Sequence, residues 1–137
     1  MLEKTLLIIK PDGVRRKLIG KIISRIEENG FDILNIKFLK LPMEEAKEFY
    51  KIHQGKDFYL SLCEFMVSGP IVALLLAGEN AQIRLRKLVG ATDPKKAEEG
   101  TIRRDFGTSI QENVVHAANP EENVEREIKF FFPETII

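Results

Sequence analysis

The first third of the chain shows three hydrophobic patterns, and each predicts one element. Residues 5–10 are a short apolar run that ends at Pro11, which is typical of a buried strand. Between residues 18 and 26 apolar side chains recur every three or four positions, which predicts a helix that stops at Gly30. Residues 31–41 alternate between apolar and polar positions and therefore predict a second strand.

The middle of the chain adds more helices and one strand. Pro42 is expected to open a short helix that continues to Tyr50, and a second short helix is expected over residues 58–67. The apolar run at residues 71–76 predicts a strand, and a helix ending before Gly90 follows it. Cys63 is the only cysteine, and its spacing from apolar neighbours indicates a helix core position.

The last third combines a long irregular segment with a short regular end. Residues 90–113 have no sustained period, and a loop of this length in a compact domain is usually functional. Asn119 is predicted to cap a helix, and residues 128–132 are predicted to form the last strand. Together these elements predict an α+β, ferredoxin-like βαββαβ antiparallel sheet with helices and a long active-site loop, as one domain over residues 1–137.

Composition and charge narrow the range of partners. Hydrophobic residues make up 44% of the chain, and 21 basic residues balance 21 acidic ones, so neither nucleic acid nor a membrane is expected as the main partner. Residues 84–104 carry seven basic and three acidic residues, which suits either a small anionic ligand or a solvated helix face. No apolar run reaches membrane-spanning length and no signal-peptide pattern is seen, so we expect a cytoplasmic protein.

Two histidines are the candidate nucleophiles for phosphate chemistry. His116 follows two valines, and a lone histidine in such a place is more often structural than catalytic. His53 follows the predicted helix that ends near Tyr50 and is interpreted as structural. The chain contains neither a P-loop segment nor the motifs of protein kinases, which excludes those two classes.

Several segments, taken in order, resemble one family. Residues 113–119 read Asn-Val-Val-His-Ala-Ala-Asn, which is similar to the N-x-x-H-G-S-D signature of nucleoside diphosphate kinases. Residues 5–13, 65–70, 90–94 and 100–106 also resemble segments of that family, and the similarity runs from about residue 5 to residue 132. The combination favours a catalytic interpretation of His116.

The resemblance implies a ping-pong transfer of the γ-phosphate of a nucleoside triphosphate to a nucleoside diphosphate. It makes His116 the nucleophile, with Glu127 orienting it and Tyr50 beside it, and it places Lys10 on the moving phosphoryl group and the sugar. It implies binding of phosphates, sugar and base by Arg86, Thr92, Arg103, Asn113, Phe58 and Ile110. It further implies Mg²⁺ held mainly by nucleotide phosphates, broad base specificity, and a homo-oligomer, a hexamer being favoured over a tetramer.

The chain departs from the family pattern at a few positions. Ala118 replaces the family serine beside the histidine, which removes a hydroxyl, and Asn119 replaces the family aspartate. Lys56 and Asp57 stand where the family often has Arg-Pro. These changes leave two alternatives to an active kinase, namely a nucleotide-binding scaffold with weak catalysis and, from the basic stretch, a nucleic-acid-binding protein. Neutral net charge and the absence of interleaved aromatics argue against the latter.

Overall fold

A four-stranded antiparallel sheet forms the centre of the molecule in a computed structural model, which describes residues 2–136. The sheet order is β2-β3-β1-β4, and each neighbouring pair runs antiparallel. The strands are β1 (Leu2–Ile9), β2 (Asp32–Leu39), β3 (Ile71–Glu79) and β4 (Val115–Ala117). This order, with crossovers between β1 and β2 and between β3 and β4, is the ferredoxin-like βαββαβ arrangement predicted from the sequence.

Helices cover both faces of the sheet and connect its strands. They are α1 (Pro11–Arg15), α2 (Ile19–Glu28), α3 (Met43–Phe49), α4 (Tyr59–Met66), α5 (Ala81–Val89), α6 (Ile102–Phe106) and α7 (Val124–Phe131). Single turns of 3-10 helix occur at Lys51–His53 and Pro94–Lys96. The predicted helices over residues 18–26, 42–50 and 58–67 are confirmed within a few residues. None of the helices between residues 2 and 136 has both the length and the apolar character needed to cross a membrane.

Strand β1 separates two hydrophobic clusters, one on each face of the sheet. Leu6 and Ile8 pack into the cluster that also contains Cys63, whereas Leu7 and Ile9 pack into the other. Successive side chains of a strand point to opposite faces, so a central strand with both faces covered must be apolar at every position. This explains the continuous apolar run at residues 6–9. Cys63 is fully buried in α4, as predicted.

The end of the chain differs from the prediction. Residues 128–132 do not form a strand, because most of them belong to helix α7, and the fourth strand is instead β4. The Asn123 side chain accepts a hydrogen bond from the backbone N–H of Arg126 and so caps α7. Val124, Ile128 and Phe131 lie at helical spacing and are buried together, so packing overrides the local strand preference of the phenylalanines.

The predicted helix start at Asn119 is also wrong. The Asn119 side chain accepts a hydrogen bond from the backbone N–H of Glu121 at 2.9 Å and closes a turn. Helix α7 begins only at Val124, after this turn. An asparagine can stabilise either a turn or a helix start by the same kind of hydrogen bond. The pattern therefore predicted a side-chain hydrogen bond at Asn119 correctly but assigned it to a helix start instead of a turn.

The long segment between α5 and β4 contains short elements of its own. Helix α6 is capped by Thr101, whose hydroxyl accepts a hydrogen bond from the backbone N–H of Arg104. Asp93 accepts one from the backbone N–H of Lys95 and caps the 3-10 turn. The segment predicted as a loop is therefore partly helical. It contacts Lys10, the residue after β1, whose Nζ donates to Gln111 O at 2.8 Å.

Candidate active site

His116 occupies the middle of β4 and is paired with Ile8 of the central strand. Its side chain is partly buried, with 22% of its area exposed, and Nε2 lies 2.7 Å from Glu127 Oε1. Glu127 comes from the first half of α7, on the same helix face as the buried Val124 and Ile128. The amphipathic helix thus brings a largely buried carboxylate against the histidine.

The contact with Glu127 assigns the two ring nitrogens of His116. A carboxylate accepts hydrogen bonds, so the proton of the neutral imidazole lies on Nε2 and the lone pair on Nδ1. The carboxylate also fixes the orientation of the ring and stabilises a positive charge on it. Nδ1 is therefore the nitrogen that can act as a nucleophile.

Lys10 follows the last residue of β1 and is buried. Its Nζ donates hydrogen bonds to Gln111 O at 2.8 Å and Asn113 Oδ1 at 2.9 Å. Burial lowers the pKa of Lys10 from 10.5 to about 8; Asp12 opposes this shift and Arg103 adds to it. A buried ammonium whose partners are mainly neutral oxygens attracts an anion strongly.

Two arginines add positive charge near His116. Arg103 is 6% exposed and donates to the backbone oxygens of Gly90 and Val115 at 3.1 and 2.9 Å. Arg86 donates to Ala117 O at 3.0 Å. Burial, together with the charge of Arg86, lowers the pKa of Arg103 to about 10. Within residues 2–136 neither arginine forms an ion pair with a carboxylate, which leaves their charge for a ligand.

Tyr50 forms one wall beside the histidine. Its ring meets His116 edge-on with the centroids 5.9 Å apart, and the buried hydroxyl has no hydrogen-bond partner among the described residues. Burial, with a smaller contribution from Glu127, raises the pKa of this hydroxyl, so it stays protonated and can donate a hydrogen bond. The Tyr50 hydroxyl lies in the wall of the cleft, where it can donate a hydrogen bond to a bound ligand.

A cleft of ≈ 370 Å³ brings nine of the ten predicted site residues together. They are Lys10, Tyr50, Phe58, Arg86, Thr92, Arg103, Ile110, Asn113 and His116. Glu127 does not line the cleft but touches His116. Phe58 and Ile110 are 48% and 61% exposed, so two large apolar side chains stand in the cleft where water still reaches them.

Further residues of the cleft were not predicted from the sequence. They are His53, Leu62, Gln111, Val115, Ala117, Asn119 and Glu122. His53 was interpreted as structural, but its ring lies 5.1 Å from that of Phe58 and it lines the cleft. Its position between Tyr50 and Phe58, two predicted site residues, could have indicated that His53 lines the same cleft. Gln111 follows Ile110, and Asn119 lies three residues after His116, so their closeness to predicted site residues along the chain could have indicated them.

The donor set of the cleft determines how a metal could be held. Within residues 2–136 there is no group of three or more His, Cys, Asp or Glu side chains suited to a metal ion. Mg²⁺ usually keeps several waters and binds through substrate phosphates with few protein ligands. Asn119 and Glu122 contribute side-chain oxygens to the lining of the cleft.

Comparison with known proteins decides the family. The sequence profile described as "Nucleoside diphosphate kinase" matches residues 3–137. The chain belongs to the nucleoside diphosphate kinase family. A nucleoside diphosphate kinase of Persephonella marina is 52% identical over 130 residues, covering 95% of this chain and 93% of the relative. One from Methanocaldococcus jannaschii is 48% identical over 134 residues, covering 98% and 96%.

Solved structures of nucleoside diphosphate kinases have the same fold. The Aquifex aeolicus enzyme superposes with a TM-score of 0.93 at 40% identity, covering 96% of both chains. A halophilic enzyme from Halobacterium salinarum, solved in complex with CDP, gives 0.93 at 40% identity and covers 96% of this chain and 88% of its own. The resemblance inferred from the sequence motifs is confirmed, and the protein is a phosphotransferase that acts on nucleotides.

Proposed function

We propose that this nucleoside diphosphate kinase works by a ping-pong mechanism through a phosphorylated His116. The contact between His116 Nε2 and Glu127 Oε1 at 2.7 Å carries the proposal, because it leaves the Nδ1 lone pair as the nucleophile. Lys10, Arg86 and Arg103 supply three positive charges in the same cleft. Phosphoryl transfer needs such positioned cations more than any other contribution from the protein.

In the first half-reaction Nδ1 of His116 attacks the γ-phosphorus of a nucleoside triphosphate. A nitrogen–phosphorus bond forms, the bond from phosphorus to the β–γ bridging oxygen breaks, and the nucleoside diphosphate leaves with the electron pair of that bond. The ring becomes positively charged during attack, and Glu127 stabilises it while keeping the proton on Nε2. Lys10 and Arg103 neutralise the charge on the moving phosphoryl group.

The second half-reaction reverses these steps with a different acceptor. A terminal phosphate oxygen of a second nucleoside diphosphate attacks the phosphohistidine, and the nitrogen–phosphorus bond breaks. Arg86 and Thr92 bind the remaining phosphates, while Asn113 binds the sugar together with Lys10. The orientation of the Asn113 side chain is fixed, because its Nδ2 donates to Thr92 O and Ile110 O at 3.0 and 2.9 Å.

The base is recognised by its faces. Phe58 and Ile110 are large, half-exposed apolar side chains of the cleft, and stacking and apolar contact do not read the edge of a base. His53 packs against Phe58 with a ring distance of 5.1 Å and supports that side of the contact. We therefore propose broad base specificity, with values of kcat/KM for ATP, GTP, CTP and UTP within about two orders of magnitude.

Magnesium enters the proposed reaction with the nucleotide. When bound to the phosphates, the ion would neutralise part of their charge, and it usually keeps several waters and few protein ligands. The cations of the cleft then have to bind a complex whose charge is already reduced. Binding should accordingly depend on nucleotide and Mg²⁺ together.

We also propose that the chain acts as a homo-oligomer in the cytoplasm, with a hexamer favoured over a tetramer. Strand β2 lies at the edge of the sheet and exposes Leu34, Ile36 and Phe38, which are 50%, 49% and 64% exposed. An open edge that carries apolar side chains favours self-association. Light scattering coupled to gel filtration would give the number of subunits directly.

Labelling with a γ-labelled triphosphate and no acceptor tests the mechanism. The protein should take up the label, and the label should resist alkali but not acid, as expected of phosphohistidine. His116→Ala should lose it, whereas His53→Ala, at the only other histidine, should keep it. Label on His116→Ala, or none on the wild type, would contradict the proposal. A wild type that binds nucleotide without taking label would favour the scaffold alternative raised by Ala118.

A further inference from the structure

Asp12 is a buried carboxylate next to the proposed active site and has no role in the mechanism above. It is 2% exposed and lies in α1, two residues after Lys10. Its Oδ2 accepts a hydrogen bond at 3.1 Å from the backbone N–H of Val114, a residue 102 positions further along the chain. Moving a carboxylate out of water costs free energy, so a buried one is expected to have a structural or chemical role.

Val114 has an unusual backbone conformation. Its φ is +66°, in the left-handed region that β-branched residues rarely adopt. Both peptide groups that flank Val114 are held, because its carbonyl accepts a hydrogen bond from Lys10 N at 2.8 Å and its N–H donates to Asp12. A strained turn of this kind persists only when its surroundings hold it.

The helix start that carries Asp12 fits closely against this turn. A Cβ added to Gly13 would lie 2.8 Å from Ile9 Cγ2 and 3.1 Å from Val114 O. Gly13 therefore lets the backbone of α1 approach the turn, and the short Asp12 side chain can then reach the N–H of Val114.

Groups that the mechanism uses are attached to the turn. Asn113 immediately precedes Val114, and its Oδ1 accepts a hydrogen bond from Lys10 Nζ at 2.9 Å. Val115 follows, and its carbonyl accepts one from Arg103 Nη2 at 2.9 Å. His116 is the next residue. A rotation of the peptide at Val114 would therefore displace a sugar ligand, a phosphate ligand and the nucleophile together.

We infer that Asp12 is a positioning residue for phosphoryl transfer, holding the Val114 turn so that Asn113, Arg103 and His116 face the same substrate. The inference rests on the proposed function. Asp12 does not touch the reacting atoms, and it acts through the backbone of Val114. Misplacement of a reacting group by a small distance is enough to slow a transfer strongly.

Asp12 also acts on the charge of Lys10. Burial is the largest influence and lowers the pKa of Lys10, Asp12 raises it, Arg103 lowers it, and Glu112 raises it. The nearby ammonium in turn opposes the rise that burial causes in the pKa of Asp12. Removing the carboxylate charge should therefore leave Lys10 less protonated at a given pH, which a purely structural role would not do.

Two substitutions separate the hydrogen bond from the charge. Asp12→Asn keeps an oxygen that can accept from Val114 N–H but removes the charge, whereas Asp12→Ala removes both. Asp32→Asn and Asp32→Ala serve as controls, since Asp32 is exposed at the start of β2. For each full-length variant we would measure thermal unfolding, phosphohistidine formation in a single turnover, and kcat/KM from pH 6 to 10.

Asp12→Ala should form phosphohistidine about 10- to 100-fold more slowly than the wild type, which is the loss of one buried charge-assisted hydrogen bond expressed as a rate. Asp12→Asn should recover most of that rate at pH 7, and its kcat/KM should fall at a lower pH than that of the wild type. The Asp32 variants should match the wild type in both measurements.

Three results would overturn the inference. They are a folded Asp12→Ala with an unchanged labelling rate, an Asp12→Asn as slow as Asp12→Ala, and an unshifted alkaline decline in Asp12→Asn. If Asp12→Ala does not fold, the alkaline decline of Asp12→Asn, compared with that of the wild type, still decides. A wild type that takes no label at all would instead contradict the proposed function, so the two failures are distinguishable.

Discussion

Loss of the Lys10 proton should lower kcat/KM progressively at moderately alkaline pH. Lys10 is 5% exposed, and burial lowers its pKa to about 8. Above that pH the protonated fraction falls about tenfold for each unit, so kcat/KM at pH 9 should be about one tenth of its value at neutral pH. Without the ammonium the cleft loses one of its three positive charges, and both binding and transfer weaken.

The nucleotide complex should behave differently from the free enzyme. Bound phosphates stabilise the ammonium of Lys10 and raise its pKa, so the alkaline decline of kcat should begin at a higher pH than that of kcat/KM. Initial rates with a fixed nucleotide pair, measured directly from pH 6 to 10 at constant ionic strength, give both profiles. Lys10→Met supplies the control, because it has no ammonium to lose at this position.

The same pKa shift affects stability in the opposite direction. Between pH 8 and 10.5 the unfolded chain retains a proton on Lys10 that the folded chain has lost, so the free energy of unfolding should rise with pH in this window. The rise is about 3 kcal/mol at most, and Lys10→Met should lack it in urea titrations. A kcat/KM that stays level to pH 10, or an alkaline decline that persists in Lys10→Met, would refute the reasoning.

Three other substitutions test neighbouring parts of the site. Ala118→Ser should raise kcat by up to about tenfold at nearly unchanged nucleotide affinity, because it restores the hydroxyl that the family serine carries two residues after His116, and steady-state rates that do not change would contradict this. Glu127→Gln should slow phosphohistidine formation in rapid-quench assays by about 10- to 100-fold, since it keeps the contact with His116 but loses the charge; an unaltered rate would exclude that role. Phe58→Ala should raise KM for all four nucleotides by about 5- to 150-fold, the range of one stacking contact, whereas loss of a single nucleotide would count against base stacking.

The sequence by itself determined the elements whose burial is complete or strongly periodic. Residues 6–9 predicted a buried strand, because they are apolar at every position, and the structure places them in the central strand β1. The three- and four-residue spacing before Gly30 likewise determined α2, which buries Ile22 and Ile26. Such patterns indicate directly how many faces of a strand or helix are buried, whichever elements pack against those faces.

Most of the proposed site could also be predicted, though by family resemblance and not from physical pattern alone. Nine residues spread from Lys10 to His116 line one cleft. No periodicity predicts that meeting, since it depends on β4 pairing with β1 and on the long segment folding back over the end of β1. Family motifs that occur in a fixed order along the chain do predict it, because relatives with the same fold have the same active-site residues at matching positions.

The tertiary structure alone decided the end of the chain. Phe130, Phe131 and Phe132 favour a strand locally, yet Phe131 packs 5.3 Å from the ring of Phe49, and the helix that results brings Glu127 to His116. Burial against distant residues outweighs local preference, because the gain from packing an aromatic ring exceeds the small strand propensity.

The charge state of Lys10 and the strained turn at Val114 were likewise invisible in the sequence. The shift in the pKa of Lys10 comes mainly from burial, with contributions from Asp12, Arg103 and Glu112, and three of these four influences depend on segments remote along the chain. The turn at Val114 is held by Asp12 and Lys10, which contact its backbone N–H and carbonyl from about 100 residues earlier in the chain. Sequence patterns report which faces are apolar, whereas strain and electrostatics depend on distances that only the folded chain defines.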